Sequence, residues 1–136
     1  MRIAALDVGE ARIGVAISDE LGITAQPLGV VQRVGGRTDL RALADLLAPY
    51  TPEKIIVGLP LGMSGAEGSQ AVRVRAFGER VGAHLGLPVE YWDERLTTVA
   101  AERALLEADL SRRRRREVVD KVAASLILQS YLAGRR

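Results

Sequence analysis

Two short apolar runs joined by a glycine-containing turn open the chain and decide its fold: Ile3-Ala-Ala-Leu-Asp7-Val-Gly-Glu-Ala-Arg12-Ile-Gly-Val-Ala-Ile17-Ser18. The alternation predicts an antiparallel hairpin, with Ile3, Ala5 and Asp7 on one face of its first strand. Gly14 and Ala16 leave a shallow surface on the second strand, which another element can approach closely. Because an unpaired charge is costly in an apolar strand, Asp7 needs a cationic neighbour.

The composition is typical of one globular domain covering residues 1–136, with 48% hydrophobic residues and no cysteine. Disulfides and thiolate metal sites are therefore excluded. No apolar run reaches the roughly 20 residues of a membrane span, and the N-terminus lacks the pattern of a signal peptide. We expect a soluble cytoplasmic protein that does not contact a membrane.

The order of the remaining patterns predicts an α/β fold. A third strand over residues 25–33 carries Pro27 and should lie at an edge. Thr38 is the expected N-cap of a helix ending near Ala48, and a buried parallel strand follows over residues 54–60. Further helices are expected over 69–85, 99–108 and 114–132, and a fifth strand over 89–94. Right-handed crossovers then give a five-stranded mixed sheet in the order 3-2-1-4-5, with helices on both faces.

Acidic residues lie where the parallel strands end. Asp7 ends the first strand, Asp93 and Glu94 end the fifth, and the carboxyl ends of such strands form ligand sites. Since adjacent strand residues point to opposite faces, only one of the last two can turn toward Asp7. We choose Glu94 as a metal ligand for its longer reach, with Asp93 supporting the site or pairing with Arg95.

The last helix supplies a third acid, Asp120, beside the small residues Ala123 and Ala124, which allow close packing on a sheet. Asp7, Glu94 and Asp120 together form an oxygen-ligand set suited to Mg²⁺ or Mn²⁺. Such a set predicts two-metal phosphodiester hydrolysis, with two ions roughly 3.5–4 Å apart. The alternatives are an exposed helical pair of Asp120 with Arg116 and a surface salt bridge at residues 93–95.

Positive charge is concentrated near the end of the chain. Residues 1–94 carry nine basic and twelve acidic side chains, whereas residues 95–136 carry ten basic and five acidic ones. We expect seven arginines to contact nucleic-acid phosphates, because the guanidinium fork matches phosphate oxygens. They are Arg12, Arg95, Arg112, Arg113, Arg114, Arg115 and Arg116. The alternative for the run 112–116 is a solvated connector between helices.

Four segments resemble the YqgF (RuvX) family: residues 6–19, 56–65, 93–98 (Asp-Glu-Arg-Leu-Thr-Thr) and 120–129. The family comprises pre-16S rRNA nucleases and Holliday-junction-resolvase-like proteins with a ribonuclease-H-like fold. The resemblance implies Asp7, Glu94 and Asp120 as metal-binding catalytic acids, in agreement with the reasoning from strand ends. It also implies processing of the 5′ end of the 16S rRNA precursor.

Two alternative functions remain at this stage. One is a DNA endonuclease acting on branched DNA, which requires two active sites and therefore a homodimer. The other is a non-catalytic module that binds RNA or the ribosome through the arginine run. An actin-like ATPase is set aside, because that fold needs two such domains around a cleft and this chain has room for one.

Overall fold

The sheet has the predicted strands in the predicted order. The computed structural model describes residues 1–62, 64–97 and 112–134, with side chains described from Val119 onward in the last range. The strands are β1 (Ile3–Val8), β2 (Arg12–Ser18), β3 (Ala25–Gln32), β4 (Lys54–Leu59) and β5 (Val89–Asp93), arranged β3-β2-β1-β4-β5. β2 lies antiparallel to β1 and β3, whereas β4 lies parallel to β1 and β5.

Helices cover both faces of this sheet, as predicted. α1 (Gly36–Leu47) and α2 (Ser69–Leu85) pack on the face that carries Ala4 and Leu6. The last helix, α3 (Arg112–Gly134), packs its buried residues on the opposite face, against Ile3, Ala5 and Ile56. Since side chains alternate along β1, Asp7 lies on the face covered by α3.

β3 forms the sheet edge, as Pro27 predicts. Pro27 aligns with Ala16 where the register shifts between Val15 and Ala16, so the missing N–H falls at an irregular part of the ladder.

The loop after β4 forms a small antiparallel turn. Its Leu61 and Glu67 make an isolated bridge, and the Gly62 N–H donates to the Ala66 carbonyl over 3.0 Å.

The expected N-cap at Thr38 is wrong, because α1 already begins at Gly36. Gly35 and Gly36 have φ angles of +100° and +61°, which admit the turn into the helix. Asp39, only 2% exposed, accepts the Val34 and Gly35 N–H groups over 2.8 and 3.1 Å. The carboxylate that holds the start of α1 therefore comes from within the first turn.

The other helices agree with their predicted ranges where they are described. α2 ends at Gly86 with φ +67°, a left-handed terminus that favours glycine. The helix expected over residues 99–108 lies outside the described residues. Within the part of the chain that is described, no helix has the length and apolar character needed to span a bilayer.

Candidate active site

Asp7 lies at the carboxyl end of β1 between two glycines of the neighbouring strands. It is 8% exposed and aligns with Gly14 of β2. On the other side Leu6 aligns with Val57, so Gly58 of β4 follows next in the register. The absence of side chains on both neighbours leaves space on the sheet surface beside Asp7, which other elements occupy.

Gly14 is the contact through which α3 approaches the sheet. A Cβ atom added at Gly14 would lie 1.9 Å from the Asp120 carbonyl oxygen and 2.5 Å from its carbonyl carbon. The backbone of α3 at Asp120 therefore rests directly on β2, across from Asp7. This confirms that the small residues of β2 receive another element.

Gly58 makes the corresponding space for Glu94. A Cβ atom at Gly58 would lie 2.8 Å from Glu94 Oε1 and 2.6 Å from the Cδ1 atom of Ile127 in α3. Glu94 begins a short 3-10 turn, Glu94–Leu96, directly after β5. The Glu94 carboxylate therefore lies over β4 on the α3 face of the sheet, the face that also carries Asp7.

The Asp93 carboxylate forms its hydrogen bonds within the short turn that follows β5. Its carboxylate accepts the Arg95 backbone N–H over 2.9 Å, Arg95 Nε over 3.0 Å and Arg95 Nη2 over 2.7 Å. These bonds favour the ionised carboxylate, so the Arg95 guanidinium lowers the pKa of Asp93 below its ordinary value. Of the two options considered for Asp93, the structure shows the pair with Arg95.

Asp120 is paired with one of the predicted phosphate-binding arginines. Arg12 Nε donates to Asp120 Oδ2 over 2.6 Å, and the two side chains are 24% and 14% exposed. Across the described ranges, no three His, Cys, Asp or Glu side chains are gathered as a metal-binding cluster. The fold therefore brings three acid-bearing elements to one edge, with the Asp120 carboxylate turned toward a guanidinium.

Of the other arginines predicted to contact phosphate, the structure describes the side chain of Arg95 but not those of the run Arg112–Arg116. Arg95 is held by Asp93, with its guanidinium beside Gly65 of the loop after β4. Arg112–Arg116 form the first turns of α3, and their side chains lie outside the described residues.

Trp92 packs against the last helix. Its ring meets Tyr131 edge-on with centroids 5.5 Å apart, and its Nε1 donates to Ser130 Oγ over 2.9 Å. This single tryptophan of the chain therefore joins β5 to α3.

Sequence reasoning missed two contributors to this edge. Gly58 was not singled out, although a glycine inside the apolar strand 54–60 is a signal for a close approach. Asp39 was also missed, although an acid soon after a Gly-Gly pair is a signal for capping backbone N–H groups.

Comparison with known proteins identifies the family. A family model described as "RuvX: Holliday junction resolvase" matches residues 1–134. A relative from Symbiobacterium thermophilum is 56% identical over 135 residues, covering 99% of this chain and 94% of that protein. One from Moorella thermoacetica is 58% identical over 132 residues, covering 97% and 94%. Both carry the name "Putative pre-16S rRNA nuclease".

Solved structures show the same fold at low sequence identity. RuvC from T. thermophilus, in complex with a Holliday junction substrate, superposes with a TM-score of 0.61 at 17% identity, covering 99% of this chain and 96% of that one. The fowlpox virus Holliday junction resolvase gives a TM-score of 0.58 at 17% identity, covering all of both chains. The fold is thus ribonuclease-H-like, as predicted. With a family model that spans nearly its whole length and relatives identical at more than half of their aligned positions, this chain belongs to the RuvX family.

Proposed function

We propose that this protein is a single-domain, divalent-metal-dependent nuclease that hydrolyses phosphodiester bonds of structured RNA. The observation that carries the proposal is the delivery of Asp7, Glu94 and Asp120 to one sheet edge by three separate elements. Gly14 and Gly58 make room for two of these approaches. Three acid-bearing elements that meet at a glycine-containing sheet edge are suited to chemistry on a phosphate once a cation offsets the negative charge.

The donor chemistry fits Mg²⁺ or Mn²⁺, because all three candidate ligands are carboxylates and both ions prefer oxygen. Asp7, Glu94 and Asp120 would hold the ions, two by analogy with other nucleases that use clustered acids. Bound in this way, divalent ions activate water and stabilise the leaving oxygen.

The protein's own side chains set up this site. Asp7 is 8% exposed in an apolar strand, and such a poorly hydrated carboxylate gains strongly from a nearby cation. Arg12 Nε holds Asp120 Oδ2 at the same edge over 2.6 Å. A bound cation would compete with this guanidinium for the carboxylate, and Arg12 would then be available to a substrate phosphate. Arg95 and the run Arg112–Arg116 would contribute further phosphate contacts.

The 5′ end of the 16S rRNA precursor is the proposed substrate, supported by the names of the relatives from Symbiobacterium thermophilum and Moorella thermoacetica. This substrate also implies that the protein works in the cytoplasm. A second candidate is endonucleolytic cleavage of branched DNA, which the description of the family model favours. That candidate requires a homodimer with two active sites.

A cleavage assay on precursor rRNA and on a four-way DNA junction tests the proposal. Cleavage should require Mg²⁺ or Mn²⁺, stop with EDTA and be lost in Asp7→Asn. The matched control is Asp45→Asn, which removes an exposed carboxylate of α1 and should leave cleavage unchanged. Cleavage without metal, or full activity in Asp7→Asn, contradicts the proposal.

The same assay separates the alternatives. Preference for the junction over the rRNA, together with a dimeric protein, supports the DNA endonuclease. A non-catalytic RNA-binding module predicts that charge reversal of Arg112–Arg116 abolishes function in cells while Asp7→Asn does not.

A further inference from the structure

An open groove of about 530 Å³ separates α1 and α2, on the sheet face opposite the three acids. Three of its lining residues are arginines, one is the only histidine of the chain, and none is acidic. The lining residues are Gly36, Arg37, Leu40, Arg41, Arg80, Ala83 and His84.

The arginines of this groove form no ion pair with any acidic residue that the structure describes. Among the residues that the structure describes, no Asp or Glu lies within 4.0 Å of the guanidinium nitrogens of Arg37, Arg41 or Arg80. Arg80 donates only a long bond of 3.5 Å to the Gly36 carbonyl. Within the described part of the chain, the groove therefore holds three guanidinium groups that form no ion pair.

A neighbouring cavity, between the β1–β2 turn and the starts of α1 and α2, contains arginines that do have acidic partners. There Arg33 and Arg73 lie opposite Asp39 and Glu10, at nitrogen–oxygen distances of 3.7 and 3.6 Å. Within the described residues, five of the eight arginines of segment 1–94 lie within 4.0 Å of a carboxylate oxygen. The other three are Arg37, Arg41 and Arg80, the arginines of the groove between α1 and α2.

The groove begins at the sheet edge that carries the candidate active site. The residue before the α1 loop, Arg33, donates its backbone N–H to the Ala11 carbonyl over 2.9 Å and its Nη1 to the Gly9 carbonyl over 2.8 Å. These bonds hold the segment that leads into α1 against the β1–β2 turn, which follows Val8 at the end of β1.

We propose that the groove between α1 and α2 is a second nucleic-acid contact, which binds the phosphodiester backbone of structured RNA away from the cleavage point. Guanidinium groups form bidentate hydrogen bonds with phosphate oxygens, and their release of counterions favours binding of a polyanion. A groove open to solvent accommodates an extended backbone, whereas a small anion would be poorly enclosed there. This proposal rests on the proposed function, since it assigns the same RNA a second point of attachment.

The test is a filter-binding titration of a duplex RNA hairpin in EDTA. All proteins carry Asp7→Asn, so that the RNA stays intact. The groove variant combines Arg37→Gln, Arg41→Gln and Arg80→Gln. The control variant combines Arg2→Gln, Arg73→Gln and Arg75→Gln, which removes the same charge from arginines that each pair with a glutamate.

We expect the groove variant to bind at least about tenfold more weakly at low salt. Its slope of log affinity against log salt should be shallower by about 2–3, because each lost phosphate contact removes about 0.9 from the slope. The control variant should bind within about twofold of the parent. Thermal unfolding followed by Trp92 fluorescence verifies that both variants are folded.

Equal losses in the two variants would assign the effect to net charge and overturn the proposal, as would unchanged binding in the groove variant. Loss of inorganic polyphosphate binding with RNA binding intact would reassign the groove to a different anion. The result is independent of catalysis: metal-dependent cleavage by Asp7→Asn defeats the proposed function, whereas this titration decides the groove alone.

Discussion

Replacing Gly14 with alanine should separate α3 from the sheet and displace Asp120 from Asp7. The added Cβ would lie 1.9 Å from the Asp120 carbonyl oxygen, which is helix backbone and cannot rotate away. Reaching even 3.0 Å requires that α3 move by about 1 Å. That shift loosens the contacts of Ala123, Ala124 and Ile127 with the face of β1 and β4.

The expected cost is about 3 kcal/mol, at the upper end of the range for overpacked sites. For a chain of this size that corresponds to a fall in Tm of about 10 °C. The sign of the change in stability is informative. Gly14 lacks a positive φ, and replacing such a glycine with alanine at a compatible position ordinarily stabilises a protein by about 0.4–1 kcal/mol. A loss must therefore come from the contact with α3.

Thermal unfolding followed by Trp92 fluorescence measures this directly, since Trp92 contacts Ser130 and Tyr131 of α3. Gly29→Ala is the matched control: it is also a strand glycine without positive φ, and its added Cβ would meet Leu46 at an ordinary 3.4 Å. Gly29→Ala should be neutral or slightly stabilising. If Gly14→Ala matches it within about 0.5 kcal/mol, the reasoning about the α3 contact is wrong.

Three further predictions concern single contacts. Arg12→Gln should tighten Mn²⁺ binding about fivefold in calorimetry, since an ion pair worth about 1 kcal/mol no longer holds Asp120. RNA affinity in a filter assay should fall. Weaker Mn²⁺ binding would argue against competition between Arg12 and the cation for Asp120. Arg95→Ala should lower Tm at neutral pH, and the difference in Tm from the parent should shrink below about pH 4. Arg95 lowers the pKa of Asp93 below its ordinary value of 3.8, so the stabilising bonds to the ionised carboxylate are present above that pH and are lost when Asp93 is protonated. A deficit independent of pH would exclude that carboxylate as the cause. Asp39→Ala should cost about 1–3 kcal/mol in urea unfolding, because two backbone N–H groups lose their buried acceptor, and a cost near zero would show that water replaces it.

The strand order of the sheet and the helices on its two faces followed from the sequence, because strand alternation and crossover handedness are local or nearly local properties. Pro27 placed β3 at an edge, and the parallel crossovers placed β1, β4 and β5 side by side. The placement of Ile3, Ala5 and Asp7 on one face also followed, since alternation along β1 determines it, whereas the packing of α3 on that face came from the structure. The start of α1 did not follow from the sequence, because the buried Asp39 carboxylate bonds the Val34 and Gly35 N–H groups ahead of the helix, and this contact could not be inferred from the local pattern around Thr38.

The contacts of the acidic side chains were decided by tertiary structure. The sequence placed Asp7, Glu94 and Asp120 at converging ends, but it left the partner of Asp120 open between helical Arg116 and the active edge. In the fold Asp120 meets Arg12, a residue 108 positions away. Such a partner depends on how closely α3 rests on β2, and that distance is set by the missing side chain at Gly14. Strand order can be inferred from pattern and connection, whereas a side chain's partner depends on distances of a few ångströms between elements remote in the chain.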